Sequence, residues 1–328
     1  MDSARQTFHG PVFIVGMNGS GTTMMLDHLG HHPELFGFRI ETYILPHYLA
    51  NEHKYGDLRL DANFAKLWND MRSEYPFCRV NKGRPVDLPP DWAATRRNAS
   101  GVFDRIIHEF ARHEGKSRWC EKTPIYALHI ATLGKAFPGS VFIHMLRDGR
   151  DCAASDHRRW GRHPCGTMFR WKHVVAEGRR QGRRVPDRYV EVRYEDVTND
   201  PELHMRRVCA SIGVAFDERV LSSTRPRPLN IGQESKEITK NVNRNTGYFT
   251  DSRLQSLEMI GGMCLANLGF ATCRPDSDVN PGFANRLWWS THDTWTVLAR
   301  QIKNKFTVQK RMTWSLFLAR LKVIIRSK

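Results

Sequence analysis

The sequence predicts an α/β fold: a P-loop-like open parallel sheet flanked by helices, followed by a helical C-terminal extension. Three observations carry this. Short apolar runs at 12–15 and 141–146 each feed a glycine-bearing turn and then a helical pattern. Strand-like and helix-like segments alternate along most of the chain, which implies parallel pairing with helices on both faces. And 328 residues, 40% of them hydrophobic, suffice for a large core.

Taken in order, Val12 to Val15 form a buried strand and Thr22 to His32 a helix closed by His32-Pro33. Residues 59–73 and 91–114 read as helices, the second with Val102, Phe103, Ile106, Ile107 and Phe110 on one face. Arg118 to Glu121 make a short strand, and Pro124 opens the next helix. Val141 to Leu146 form a clear strand, and Arg147-Asp148-Gly149 turn the chain into a helix reaching Trp160. Arg188 to Tyr194 give another strand, with a helix after Asp200-Pro201. Residues 223–247 read as a long functional loop, and a helix from Thr250 ends at Gly269. The chain divides into a domain of residues 1–273 and a basic amphipathic helical extension of residues 274–328. In the extension Trp314, Phe317, Leu318, Leu321, Ile324 and Ile325 share one stripe, and no acidic residue occurs from Arg300 onward. Two readings stand for it: a helix packed on its own core, or an interfacial helix on anionic lipid.

Fifty Lys and Arg against 34 Asp and Glu give a net charge of +16, which suggests an anionic partner without choosing one. Seven scattered cysteines, none in a C-x-x-C pair, speak against a disulfide framework or a zinc site. With no apolar run near the roughly 20 residues that span a bilayer and no secretory h-region, the expectation is a cytoplasmic protein, soluble or peripherally attached to a membrane.

The stretch GMNGSGTT, residues 16–23, follows the first strand. It keeps the glycine spacing of a phosphate loop, but Thr22 stands where nucleoside-triphosphate loops carry lysine. Backbone amides at a helix N-terminus, with two threonine hydroxyls, still suit an anion. Magnesium-dependent triphosphate cleavage does not follow.

GSGTT after a strand, with LRDGRDCAAS far downstream, resembles the sulfotransferases that use 3′-phosphoadenosine 5′-phosphosulfate (PAPS) as co-substrate. The resemblance runs over about residues 11 to 270 and is closest to the branch of tyrosylprotein, carbohydrate and many bacterial sulfotransferases. It implies that Gly19, Ser20, Gly21, Thr22 and Thr23 hold the 5′-phosphosulfate. Gly19 departs from the basic residue common in relatives. It further implies Arg147 and Ser155 at the 3′-phosphate, with Arg159 on the same helix face, and Tyr194 beside the adenine or behind the 3′-phosphate. Lys122 of WCEKTP would reach the bridging oxygen, and Lys240 would close over the nucleotide. Glu41, in an E-T pair displaced by one residue from the family pattern, would be the general base. His28, His31 and His32 compete for that role but are expected on the helix surface and at its end. No metal is required.

The acceptor implied is a hydroxyl, with a carbohydrate or glycolipid favoured by the basic tail. The segments 43–115 and 160–185 are expected to build its pocket, and Trp68, Trp92, Trp160 and Trp171 within them suit sugar faces and a hydrophobic core equally. A tyrosine or small-molecule acceptor, a P-loop nucleotide kinase and a non-catalytic basic binding protein are the alternatives. No nucleic-acid partner is expected.

Overall fold

The structure, a computed structural model, describes residues 8–222 and 247–307. At its centre lie five strands: β1 (Val12–Gly16), β2 (Leu35–Phe38), β3 (Arg118–Lys122), β4 (Val141–Leu146) and β5 (Tyr189–Arg193). They form one parallel sheet in the order β2-β3-β1-β4-β5. Every residue of β1 and of β4 is buried, as expected of strands covered on both faces. Their side chains alternate between two cores. Phe13 and Val15 join Phe36, Phe38, Phe103, Trp119 and Phe142 on one side. Val12 and Ile14 join Met25, Leu26, Leu29 and Ile143 on the other.

The helices are α1 (Thr22–Leu29), α2 (Leu45–Asn51), α3 (Asp61–Arg72), α4 (Tyr75–Val80), α5 (Ala99–His113) and α6 (Ile130–Ala136). They continue with α7 (Gly149–Trp160), α8 (Pro164–Gly182), α9 (Tyr194–Asn199), α10 (Pro201–Ser211), α11 (Asp251–Asn267) and α12 (Phe283–Thr307). The helix expected over 91–114 is shorter. A 3₁₀ turn at Trp92–Ala94 precedes it, and α5 starts where the Asn98 side chain accepts a hydrogen bond from the Gly101 amide. Likewise Pro124–His129 is a 3₁₀ turn, and the α-helix begins only at Ile130. Strand β2 and helix α8 were not anticipated.

His28 and His32 are not on the surface. His28 is 3% exposed with Nδ1 2.7 Å from the Val220 carbonyl, and His32 is 1% exposed with Nε2 2.8 Å from that of Ala215. Both tie α1 to the segment after α10. The loop at 223–247, Lys240 within it, and the stripe from Trp314 to Ile325 lie outside the described residues, apart from Gly247. No helix among the described residues is long and apolar enough to cross a membrane.

Candidate functional site

The first part of the site is the turn from β1 into α1. Ser20 donates its amide to the Met17 carbonyl at 3.0 Å, which closes the turn. Gly19 and Gly21 take φ of +86° and +96°, a region that L side chains rarely enter. Gly21 begins α1 with no side-chain cap, so the first-turn amides of the helix point to a site on that end. Ser20 Oγ is buried and has no hydrogen-bond partner among the described residues. An orphaned hydroxyl beside helix-start amides is what an anion would satisfy.

The second part comes from the carboxyl end of β4. Arg147, 5% exposed, donates Nη1 to the Gly19 carbonyl at 2.8 Å and pairs with Asp151 at 3.3 Å. Its guanidinium lies 4.2 Å from the centre of the Tyr194 ring. That ring also packs on the loop: a Cβ added to Gly21 would sit 2.4 Å from Tyr194 Cδ2. Ser155, on α7, borders Gly19, since a Cβ built there would meet Ser155 Oγ at 3.2 Å. Gly19, Arg147, Ser155 and Tyr194 are therefore one cluster, although well over a hundred residues of sequence separate the first from the others. Arg159, one turn beyond Ser155, is exposed. The second arginine of RDGRD does different work: Arg150 pairs with Asp148 at 2.6 Å and Glu258 at 2.5 Å, fastening α7 to α11.

The third part is where β3 ends. Lys122 lies in register with Ile14, two residues before the loop begins. Its Nζ is 2.5 Å from Glu41 Oε1, with the two side chains 7% and 29% exposed. Tyr43 donates its hydroxyl to the other Glu41 oxygen, and does so from a left-handed backbone with φ of +57°. Burial pushes the Glu41 carboxyl up, but the Lys122 charge and hydrogen bond, then the Tyr43 hydroxyl, outweigh it and hold the carboxyl below its ordinary value. The Arg162 charge acts in the same direction. Burial and the Glu41 charge together push the Tyr43 hydroxyl well up.

Beneath this pair is a buried network that the sequence did not reveal. Glu121 is fully buried, and its Oε1 accepts hydrogen bonds from the Thr42 hydroxyl at 3.0 Å and from Thr123. The Thr42 hydroxyl in turn meets Tyr126 Oη at 2.7 Å. Burial, only partly opposed by these donors, pushes the Glu121 carboxyl up to about 7. The network fixes the backbone at Thr42, whose amide donates to Thr123 Oγ1 at 2.9 Å, and so holds Glu41 against Lys122. The E-T spacing was a signal for Glu41; nothing in the sequence pairs Thr42 with a carboxylate 79 positions away.

Of the four tryptophans in the segments expected to build the acceptor pocket, two belong to the core. Trp68 and Trp171 are fully buried, and Trp171 donates Nε1 to the Arg147 carbonyl at 3.0 Å. Trp92 stacks on Phe64, and Trp160 is 37% exposed. Among the described residues no group of three or more His, Cys, Asp or Glu is placed to hold a metal.

Comparison with known proteins follows this geometry. A family model described as the sulfotransferase family matches residues 11–218, which include all three parts of the site. The chain is 24% identical over 223 residues to a putative protein-tyrosine sulfotransferase of Caenorhabditis briggsae, covering 64% of this chain and 68% of that one. It is 26% identical over 221 residues to protein-tyrosine sulfotransferase 1 of Danio rerio, covering 64% of this chain and 55% of that one. Among solved structures, the sulfotransferase domain of the Synechococcus PCC 7002 olefin synthase has a TM-score of 0.52 at 21% identity, covering 80% of this chain and 98% of that domain. The sulfotransferase domain from the curacin biosynthetic pathway has a TM-score of 0.54 at 16% identity, covering 81% and 99%. These two share the fold, with its parallel sheet between helices. From the glycine turn to the arginine behind it, and over most of its length, the chain belongs to the sulfotransferase family.

Proposed function

We propose that the protein transfers a sulfuryl group from PAPS to a hydroxyl acceptor, with Lys122 and Glu41 as the catalytic residues. The supporting observation is the Lys122–Glu41 ion pair, 2.5 Å long, at the end of β3 beside the phosphate loop. It joins a candidate acid and a candidate base from segments 81 residues apart.

PAPS supplies an activated sulfuryl group; the residues of this chain bind, orient and move a proton. Ser20, Thr22, Thr23 and the amides of Gly19 and Gly21 hold the 5′ end, and Arg147 with Ser155 holds the 3′-phosphate. Arg159 is a further candidate at the 3′-phosphate, and Lys240 is a candidate to close over the nucleotide. Lys122 donates to the bridging oxygen, where negative charge grows as the sulfur–oxygen bond to the departing phosphate breaks. A fixed ammonium favours that charge over the ground state. Glu41 takes the acceptor's proton as the new oxygen–sulfur bond forms.

The pair is also self-regulating. While Lys122 donates to Glu41, the carboxylate is a weak base. Turning the ammonium toward a bound nucleotide removes the strongest influence opposing burial and raises the basicity of Glu41 when it is needed.

For the acceptor, a carbohydrate or glycolipid is the reading drawn from the basic carboxy-terminal sequence. A tyrosine hydroxyl is the second reading, favoured by the names of the relatives. The test is incubation with PAPS and panels of oligosaccharides, glycolipids and tyrosine peptides. Adenosine 3′,5′-bisphosphate (PAP) and a product heavier by one sulfo group are expected, and both are lost in Glu41→Ala. No product with any class, from protein that binds PAP, would refute transfer to these acceptors.

A further inference from the structure

Helix α12 has two unlike sides. One is anchored: Trp289 is 9% exposed and stacks on the His163 ring at 5.5 Å and 12°. Asp293, one turn on, is 6% exposed and accepts hydrogen bonds from the His163 amide at 2.8 Å and Arg170 at 2.7 Å. These contacts seat α12 on α7 and α8. The other side carries Phe283, Leu287, Trp288 and Trp295, exposed by 72%, 53%, 54% and 71%. Spacings of four and seven residues place them along one exposed side of the helix. Trp288 rests one edge on His163, 5.1 Å away, yet stays half exposed. Four large apolar side chains held out by a helix whose opposite face is fixed are not a core in waiting. They are a surface built to be covered.

The covering is selected by chemistry. Tryptophan and phenylalanine suit the boundary between headgroups and acyl chains, where an apolar body and a polar tip are both accommodated. The sequence continuing from this helix, residues 300–328, holds nine Lys and Arg and no Asp or Glu. An aromatic face followed in sequence by a segment with nine basic and no acidic residues complements an anionic lipid surface. We propose that the Phe283–Leu287–Trp288–Trp295 face docks the protein on anionic phospholipid bilayers.

The position of the face bears on the catalytic pair. The short turn between α7 and α8 holds His163, clasped by α12, and Arg162, which pairs with Asp156 at 3.3 Å and whose charge is felt at Glu41. Docking through α12 sets the bilayer on the side of the domain that carries that turn. The docking itself does not depend on the reaction proposed above, and its test reads binding without PAPS.

The test is co-sedimentation of the full chain with phosphatidylcholine vesicles containing about 30% phosphatidylserine. Binding is expected, falling tenfold or more in Trp288→Ser/Trp295→Ser and weakening in 0.5 M salt, with little binding to pure phosphatidylcholine. Brominated acyl chains are expected to quench tryptophan fluorescence in the wild type and less in the double variant. Should that variant unfold on a thermal melt, Phe283→Ser/Leu287→Ser carries the same expectation. Undiminished vesicle binding in a folded variant would overturn the proposal by assigning attachment to other residues. So would absence of binding to anionic vesicles, including the case where sedimentation velocity shows the face occupied by a second copy.

Discussion

Lys122→Met removes the ammonium at the centre of the site and keeps the length of the stem. In the wild type Glu41 is held below the ordinary carboxyl value, because the Lys122 charge and hydrogen bond overcome burial. A carboxyl depressed in the fold adds stability above its unfolded value, and that stability is lost as pH falls through the folded value. Without Lys122, burial prevails and the Glu41 carboxyl rises. The sign then inverts: its contribution is present below the unfolded value and is lost as pH climbs through the new folded one. Breaking a fully buried pair costs about 3–5 kcal/mol. Glu41 is 29% exposed at its side chain, so water recovers part of this and a coupling of about 1–3 kcal/mol is expected. Thermal melts from pH 4 to 9 on wild type, Lys122→Met, Glu41→Gln and the double variant measure it. The kinetic effect is separate: losing one donor to developing charge lowers kcat by about 10²–10³-fold. In Lys122→Met the acid limb of residual PAP formation should also move to higher pH. A limb that stays put or moves lower, with zero coupling in the cycle, would refute the paired acid and base.

Four further expectations test the surroundings. Gly21→Ala forces a Cβ to 2.4 Å from the Tyr194 ring at φ +96°, so PAP binding by calorimetry should fall at least tenfold. Gly115→Ala, at φ +67° with nothing within 4 Å, should lose about 1 kcal/mol of stability and leave PAP affinity unchanged. Ser155→Ala removes one hydroxyl and should weaken PAP about fivefold, whereas Arg147→Lys, losing both the fork and its stacking on Tyr194, should weaken it by more than tenfold on the same calorimeter. Glu121, pushed up to about 7 by burial, adds stability below the ordinary carboxyl value that is lost as pH rises through about 7. Melts should therefore show the wild type falling between about pH 4.5 and 7 and levelling off above that, while Glu121→Gln stays flat over the same window.

Strands β1 and β4 were legible because each is an unbroken apolar run closed by a turn, and doubly covered strands leave that pattern. Strand β2 was not: LFGF is four residues long, lies at the sheet edge and carries a glycine. Helix α8 opens at Pro164, a normal first-turn residue, but its glycines and basic residues hid the apolar face. The glycine turn, Arg147 and Ser155 were readable because each is local to a motif. The support under Glu41 was not, since Thr42, Glu121 and Tyr126 are joined by folding, and a buried carboxylate among hydroxyls has no spacing to announce it. His28 was misjudged because its partner is a backbone carbonyl, which any sequence supplies; His32 stands just past the end of α1, as expected, but is buried against another carbonyl.

The sheet order separates two tasks in space. The glycine turn and Arg147 spring from β1 and β4, neighbours in the interior of the sheet, where any shift disturbs strands on both sides. Glu41 and Tyr43 follow β2, a rim strand with a neighbour on one side only. With the roles proposed above, alterations there reshape what is presented to Glu41 while the glycine turn and Arg147 are left intact. Such an architecture lets descendants exchange customers without relearning the currency.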